Sequence, residues 1–260
     1  MILVKLGGSV ITHKDSLLTA RKDVIQRLCK EIADSGKEVL IVCGAGSYGH
    51  IKADKYRLQK GRDESIPGQL EAVAEVQRDV RQLNMLVLGK LMAAGLKPAS
   101  VPPASCLINS KGKIHRMHTE VFRWFSDLGM TCVTFGDVVP DSEIGFSICS
   151  GDWLMYRLAG DLQIKEAVFA TNLDGVFTAD PGVDPRAELI REVTAIRNGS
   201  IDLKGRDKPD VTGGMGGKVR VGLEMTVLGV TTRIINGNVE GRLTQALEGE
   251  EIPCTLIRRV

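Results

Sequence analysis

Two lysines and an aspartate stand beside glycine clusters in this chain, a pairing suited to holding phosphate groups. In Lys5-Leu6-Gly7-Gly8-Ser9 the adjacent glycines let backbone N–H groups approach an anion with no Cβ in the way, and Lys5 adds a point charge. Taken alone, that segment fits an anion site and a plain glycine turn with a solvated lysine equally well. Gly44-Ala45-Gly46-Ser47-Tyr48-Gly49-His50 is a second such loop. Ser47 is expected to cap the helix that follows, leaving free amides aimed at a phosphate or carboxylate. His50 is expected to donate to a phosphate oxygen, the alternative being a structural histidine. Asp210-Val211-Thr212-Gly213-Gly214-Met215-Gly216-Gly217-Lys218 has four glycines in five positions around Met215 and leads into a helix, with Lys218 in its first turn. Asp152, after Ser150-Gly151, enters the first turn of another helix, where a carboxylate suits the dipole. Simple capping explains Asp152 as well. Thr171-Asn172-Leu173-Asp174-Gly175-Val176-Phe177-Thr178-Ala179-Asp180-Pro181 is rich in turn formers and suits a nucleotide base and ribose.

These residues need elements to hold them. Apolar runs predict strands over 2–6, 38–43, 98–101, 105–108, 130–135, 166–170 and 231–235. Helical spacing predicts helices over 21–35, 69–94, 152–162, 215–229 and 239–248, the longest marked by Leu70, Val73, Val76, Val80, Leu83 and Val87. Residues 137–146 read as a hairpin broken by Pro140 and Gly145, and 172–186 as a loop. Strands separated by helices imply right-handed crossovers and a mainly parallel sheet covered on both faces, that is, an α/β three-layer αβα sandwich. Ligands of such sheets bind at the carboxyl ends of strands. Gly7-Gly8, Gly44-Gly46 and Asn172–Gly175 each follow a predicted strand and pass that test.

The 260 residues, 43% hydrophobic and 25% charged, suit one globular domain that divides near residue 145. A net charge of +2 with dispersed basic residues gives no reason to expect a nucleic-acid partner. No apolar run approaches the roughly 20 residues needed to span a bilayer, and Met1–Lys5 reads as a strand rather than a signal peptide. A cytoplasmic protein with no membrane partner is expected. Its six scattered cysteines, with no C-x-x-C pair, read as reduced buried thiols. His115 and His118 lack cysteine or carboxylate neighbours, so no protein-held metal is expected there. Neither a Walker P-loop nor G-x-G-x-x-G occurs.

Taken in order, K-L-G-G-S at 5–9, G-A-G-S-Y-G-H at 44–50, S-G-D at 150–152, T-N-L-D-G-V-F-x-x-D-P at 171–181 and D-V-T-G-G-M-x-x-K at 210–218 resemble the amino-acid kinase superfamily. Within it the chain is most similar to the isopentenyl phosphate kinases. The features are K-L-G-G-S-V-I-T-x-K-D at 5–15, with Lys14 nine residues after Lys5, the loop histidine His50, and Gly-Asp-Val-Val at 136–139. Fosfomycin-type phosphonate kinases share the histidine and are the second reading. A non-catalytic nucleotide-binding module is the third, though it would have no reason to keep Lys14 and Asp152. Two departures stand out: Asn172 where the family usually has Asp, and the bulky Trp153 after Ser-Gly-Asp.

The resemblance implies ATP as phosphoryl donor, with Mg²⁺ carried by the nucleotide phosphates, a small-molecule acceptor and a homodimer. It implies an acceptor-binding lobe over 1–145 and a nucleotide-binding lobe over 146–260. Lys14 would stabilise the transferring phosphoryl, Lys5 and Lys218 the ATP phosphates, and Asp152 would hold the lysines in place. Gly7, Gly8, Ser9, Gly46, Asn172, Asp174, Phe177 and Gly214 complete the expected ATP site. Ala45, Gly46, His50 and Gly151 would hold the acceptor phosphate, with Val73, Val76 and Ile148 as an apolar wall for its tail.

Overall fold

The first strand, β1 (Ile2–Leu6), is buried at every position, and so is β2 (Val39–Cys43). Continuous apolar runs of that kind belong to parallel strands covered on both faces. A computed structural model describes residues 1–13, 15–195, 201–202 and 214–259. After β1 come α1 (Gly8–Ile11) and α2 (Lys22–Asp34), then β2, α3 (His50–Lys55), α4 (Gln69–Ala93), β3 (Pro98–Ser100), α5 (Pro103–Cys106), β4 (Leu107–Ser110) and β5 (Lys113–Met117). The chain continues through α6 (Glu120–Asp127), β6 (Thr131–Phe135), β7 (Asp137–Asp141), β8 (Gly145–Cys149), α7 (Gly151–Asp161) and β9 (Glu166–Thr171). Then follow β10 (Val176–Phe177), β11 (Leu189–Ile190), β12 (Glu192–Ala195), β13 (Ile201–Asp202), α8 (Met215–Val227), β14 (Thr231–Asn236), α9 (Arg242–Glu248) and β15 (Thr255–Arg259).

Nine of these strands form one sheet in the order β13-β12-β15-β14-β9-β1-β2-β6-β3. Its centre is parallel: β1 pairs with β2 and β9, β2 with β6, and β9 with β14. Among the described residues, antiparallel pairing enters this sheet only where β14 meets β15 and β12 meets β13. A small four-stranded sheet, β5-β4-β7-β8, stands beside it.

Side chains alternate across the strands. Val4, Leu6, Ile41 and Cys43 join the core packed with Ile25, Leu28, Val80, Val87 and Leu243 of α2, α4 and α9. Leu3, Leu40 and Val42 join the opposite core, with Phe122, Leu154, Leu158, Val219 and Met225 of α6, α7 and α8. This is the αβα layering expected from the sequence. By the same alternation Lys5 leaves β1 on the side of Leu3, toward α7.

Several boundaries differ from the sequence reading. The strand expected over 105–108 starts only at Leu107, because Pro103 at the first helical position sets up the short α5 before it. The hairpin expected over 137–146 runs on to Cys149. The last helix starts at Arg242 rather than 239. Leu70, placed in the apolar stripe of the long helix, is 56% exposed. Gln69 turns inward instead, donating to Tyr56 O and Gly61 O (3.1 Å each) and accepting from Asp63 N (2.9 Å).

Candidate active site

The buried ammonium of Lys5 lies at the carboxyl end of the central strand, paired in register with Val42 and Phe169. A charge is tolerable there because α7 delivers a counter-charge. Ser150 caps α7, its hydroxyl accepting from Trp153 N at 3.4 Å. That leaves the Asp152 carboxylate for the lysines: Oδ1 ion-pairs with Lys5 Nζ, and Oδ2 lies 3.8 Å from Lys218 Nζ. Asp152 is therefore not the cap, which was the alternative reading of Ser-Gly-Asp. Burial lowers the Lys5 pKa, Asp152 opposes that shift, and Lys218 adds to it. Gly151 makes room for the lysine, since a Cβ there would stand 3.2 Å from both Lys5 Cε and Val42 Cγ1.

The loops after β1 and β2 meet backbone to backbone. A Cβ on Gly8 would lie 2.6 Å from Gly46 N, and one on Gly44 would lie 2.3 Å from Gly8 N. Gly7 presses equally close to Ala170 O of β9, at 2.6 Å for the same hypothetical Cβ. Glycine is thus required at these crossings. Gly136, in the turn before β7, neighbours Gly151 N and Ala45 Cβ. Ala45, Gly136 and Gly151 therefore gather at the ends of β2, β6 and β8, with Gly151 against Lys5 and Gly46 against Gly8.

Ser47 does not cap the following helix. The loop enters it through a short 3₁₀ turn, Gly46–Tyr48, and no side chain caps α3 at Gly49. The Ser47 amide instead donates to Thr12 Oγ1 (3.1 Å), and its hydroxyl accepts from Thr19 N (3.4 Å). His50 opens α3 and is exposed as a residue, while enough protein surrounds its ring to desolvate it. Its pKa is lowered most by desolvation; Asp54 opposes this, Lys5 and Lys218 push it further down, and Asp152 raises it slightly. Those couplings put the histidine within electrostatic reach of the lysine cluster.

Lys218 also donates to Gly214 O (2.8 Å), closing the first turn of α8. Asn172 Oδ1 and Ser9 Oγ stand 3.5 Å apart, so the departure from Asp still reaches the first glycine loop. Asp174 ion-pairs with Arg242 (3.2 Å), and Phe177 pairs with Leu189 across the β10–β11 ribbon. These two keep their own partners rather than joining the lysine cluster. Trp153 spans α7 and α8: its ring meets Tyr156 edge-on at 5.8 Å and Arg220 at 5.8 Å. Val73, Val76 and Ile148 share one core cluster, Val76 fully inside and the others at its margin. Lys14 and the entry of the last glycine loop, Asp210 to Gly213, lie outside the described residues.

Thr12 and Phe169 were not singled out from the sequence. The Phe169 ring lies 5.9 Å beneath Lys5 Nζ, and a strand phenylalanine carries no signal of such a role. Asp137, 3% exposed, anchors β7 by accepting from Val138 N (2.9 Å), Ala104 N (3.4 Å) and Arg81. The Gly-Asp-Val-Val marker was the hint available for it.

Residues 1–236 match the model of the Amino acid kinase family. An isopentenyl phosphate kinase of Methanothermobacter thermautotrophicus is 37% identical, with 99% of this chain and 98% of that protein covered. The chain belongs to the isopentenyl phosphate kinases of the amino acid kinase family. A second member, from Thermoplasma acidophilum, is 33% identical over 94% of each chain. Solved isopentenyl phosphate kinase structures superpose with a TM-score of 0.86 at 33% identity, covering 99% of this chain. A substrate complex of an isopentenyl phosphate kinase gives 0.82 at 30% identity, again over 99% of this chain. The chain is accordingly a phosphotransferase with a small-molecule acceptor.

Proposed function

We propose that this kinase transfers the γ-phosphoryl of ATP to isopentenyl phosphate, releasing ADP and isopentenyl diphosphate. The observation that supports it best is the Lys5–Asp152–Lys218 cluster beside two glycine loops locked together through their backbones. A phosphate monoester is already nucleophilic at neutral pH, so no strong general base is needed. One of its oxygens forms the new P–O bond as the bond from the γ-phosphorus to the β,γ-bridging oxygen breaks, and ADP leaves with that electron pair. The protein's task is to bring two anionic groups into line and to neutralise the charge between them.

Lys5 and Lys218 hold the nucleotide phosphates with the amides of Gly7, Gly8 and Ser9, while Asn172, Asp174, Phe177 and Gly214 border the nucleotide. The Ala45, Gly46 and Gly151 backbones and the His50 ring hold the acceptor phosphate, and Val73, Val76 and Ile148 border its tail. Lys14 follows the transferring phosphoryl. Both Asp152 oxygens face lysines, so Asp152 serves as their anchor rather than as an ion's ligand. Magnesium comes with ATP, held by the nucleotide phosphates and water. Residues 1–145 form the acceptor lobe and 146–260 the nucleotide lobe, one continuous sheet running through both. A cytoplasmic homodimer completes the proposal; among the described residues no helix is long and apolar enough to cross a membrane.

A coupled ADP-release assay over isopentenyl phosphate, dimethylallyl phosphate, fosfomycin and N-acetylglutamate tests the reaction. Turnover should be fastest with an isoprenoid monophosphate. Faster turnover of fosfomycin or N-acetylglutamate would reassign the acceptor.

A further inference from the structure

We propose that Thr12 is a positioning residue, its hydroxyl fixing the nucleotide-phosphate loop against the acceptor-phosphate loop; the proposal rests on the phosphotransfer reading above. Thr12 ends α1 and is 1% exposed. Its Oγ1 donates to Gly8 O at 2.8 Å and accepts from Ser47 N at 3.1 Å. One hydroxyl has one proton and two lone pairs, so it makes both bonds at once. The first partner belongs to the loop after β1, the second to the loop after β2. At the same point Gly46, with φ +50°, passes so close that a Cβ would stand 2.2 Å from Thr12 Oγ1 and 2.8 Å from its Cγ2.

The bond to Gly8 is not what α1 lacks. Gly8 O already accepts from the Thr12 backbone amide at 2.9 Å. What the hydroxyl adds is the second bond, to an amide 35 positions along the chain. Ser47 is itself 1% exposed, so without Thr12 Oγ1 its N–H would lose its partner away from solvent. In-line transfer depends on the spacing of donor and acceptor phosphates, and each phosphate follows its own loop. A residue that ties loop to loop sets that spacing without touching either ligand, and small errors in such spacing cost rate steeply.

The test compares Thr12→Val, which keeps the shape and removes the hydroxyl, with Thr12→Ser, which keeps the hydroxyl. Thr12→Val should lower kcat with isopentenyl phosphate about tenfold or more, while the affinities of ATP and isopentenyl phosphate, titrated singly, move by less than about threefold. Thr12→Ser should recover most of kcat. Should Thr12→Val not fold, Thr12→Ala takes its place, and failure of both to fold would mean that the hydroxyl holds the fold rather than the spacing. The proposal is overturned by a normal kcat in the folded hydroxyl-less variant, by a Thr12→Ser variant as slow as Thr12→Val, or by a parallel loss of single-ligand affinity. Hydrogen exchange reads the same tie without turnover. Peptides covering 44–49 should exchange about tenfold faster in Thr12→Val than in wild type or Thr12→Ser, because an amide without its partner opens more readily. Unchanged exchange defeats the proposal even if wild type turns over no acceptor. A wild type inactive on isopentenyl phosphate with exchange altered as expected defeats the acceptor assignment alone.

Discussion

Lys5 occupies a position that the neighbouring residues of β1 would give to an aliphatic side chain, and its pKa is lowered chiefly by burial. Asp152 is the group that opposes that shift, so its removal has a definite sign. In Asp152→Asn the Lys5 pKa falls further, the ammonium deprotonates at lower pH, and a cation needed for charge neutralisation is lost. We expect kcat to fall about tenfold or more and the alkaline limb of the pH–rate profile to move to lower pH. The helix should persist, since Ser150 caps it. A lower Tm with kcat and pH profile intact would reduce Asp152 to a structural residue. His50 carries the opposite linkage. Desolvation first, and then Lys5 and Lys218, hold its pKa below the ordinary value, so the free enzyme has a neutral ring at pH 7. A bound phosphate adds negative charge beside it and raises that pKa, so acceptor binding draws a proton onto the ring. Calorimetry in buffers of different ionisation enthalpy should show more proton uptake by wild type than by His50→Gln. In the same titrations His50→Ala should weaken isopentenyl phosphate at least about tenfold, one charge-assisted bond, and leave ATP nearly unchanged. Equal proton counts, or equal losses of both ligands, would take His50 out of the acceptor site.

At the scale of elements, the outer helices are tied by buried polar side chains as well as by apolar contact. Glu31 of α2 ion-pairs with Arg27 and accepts from Leu243 N (2.9 Å) at the start of α9, while Arg27 donates to Gly237 O (2.6 Å) after β14. Glu31→Ala leaves the partly buried Arg27 guanidinium without its counter-charge, the Gly237 and Val239 carbonyls remaining as its acceptors, and leaves the buried Leu243 amide without its acceptor. The expected loss is about 3 kcal/mol, a fall in Tm of about 6–12 °C for a chain of this size, with kcat at 25 °C little changed. A Tm within the scatter of wild type would show that water replaces the carboxylate. The same elements show what periodicity can and cannot reveal. β1, β2, β6, β9 and the long α4 carry dense apolar runs or stripes and were legible in the sequence. β5 is mostly solvent-facing and reads Lys-Ile-His-Arg-Met, so it has no apolar run to find, whereas α6 turns Phe122 and Phe125 inward but spans only eight residues, about two turns in which its period can show. β15 was missed for a different reason: its apolar residues are few, and its place is set by pairing with β14 and β12.

Over the whole molecule, the site is assembled from residues far apart in sequence, and its legibility follows the kind of signal each carries. The glycine loops announce themselves because close backbone approach needs clusters of one residue type. Their contacts do not: Lys5 and Asp152 are 147 positions apart, and although Thr12 and Ser47 each stand in a motif, the single hydroxyl that joins them leaves no spacing that announces it. A site built across the carboxyl ends of several strands exists only in the folded chain, so ligand binding and folding must be linked. Substrates that bind only the native state raise its stability by RT ln(1 + [L]/Kd), about 2.7 kcal/mol for one ligand at a hundred times its Kd. For a chain of this length that corresponds to a rise in Tm of about 5–10 °C. We therefore expect isopentenyl phosphate, scanned with Mg²⁺ and a non-hydrolysable ATP analogue, to raise Tm by that amount beyond the analogue alone. N-acetylglutamate at equal concentration should add nothing, because a carboxylate carries too little charge to engage His50 and the glycine amides as a phosphate dianion does. His50→Ala should lose most of the isopentenyl phosphate increment and keep the increment from the nucleotide analogue. An N-acetylglutamate increment matching that of isopentenyl phosphate would place this chain among carboxylate kinases, whereas an increment that survives His50→Ala would put the acceptor phosphate elsewhere in the cleft.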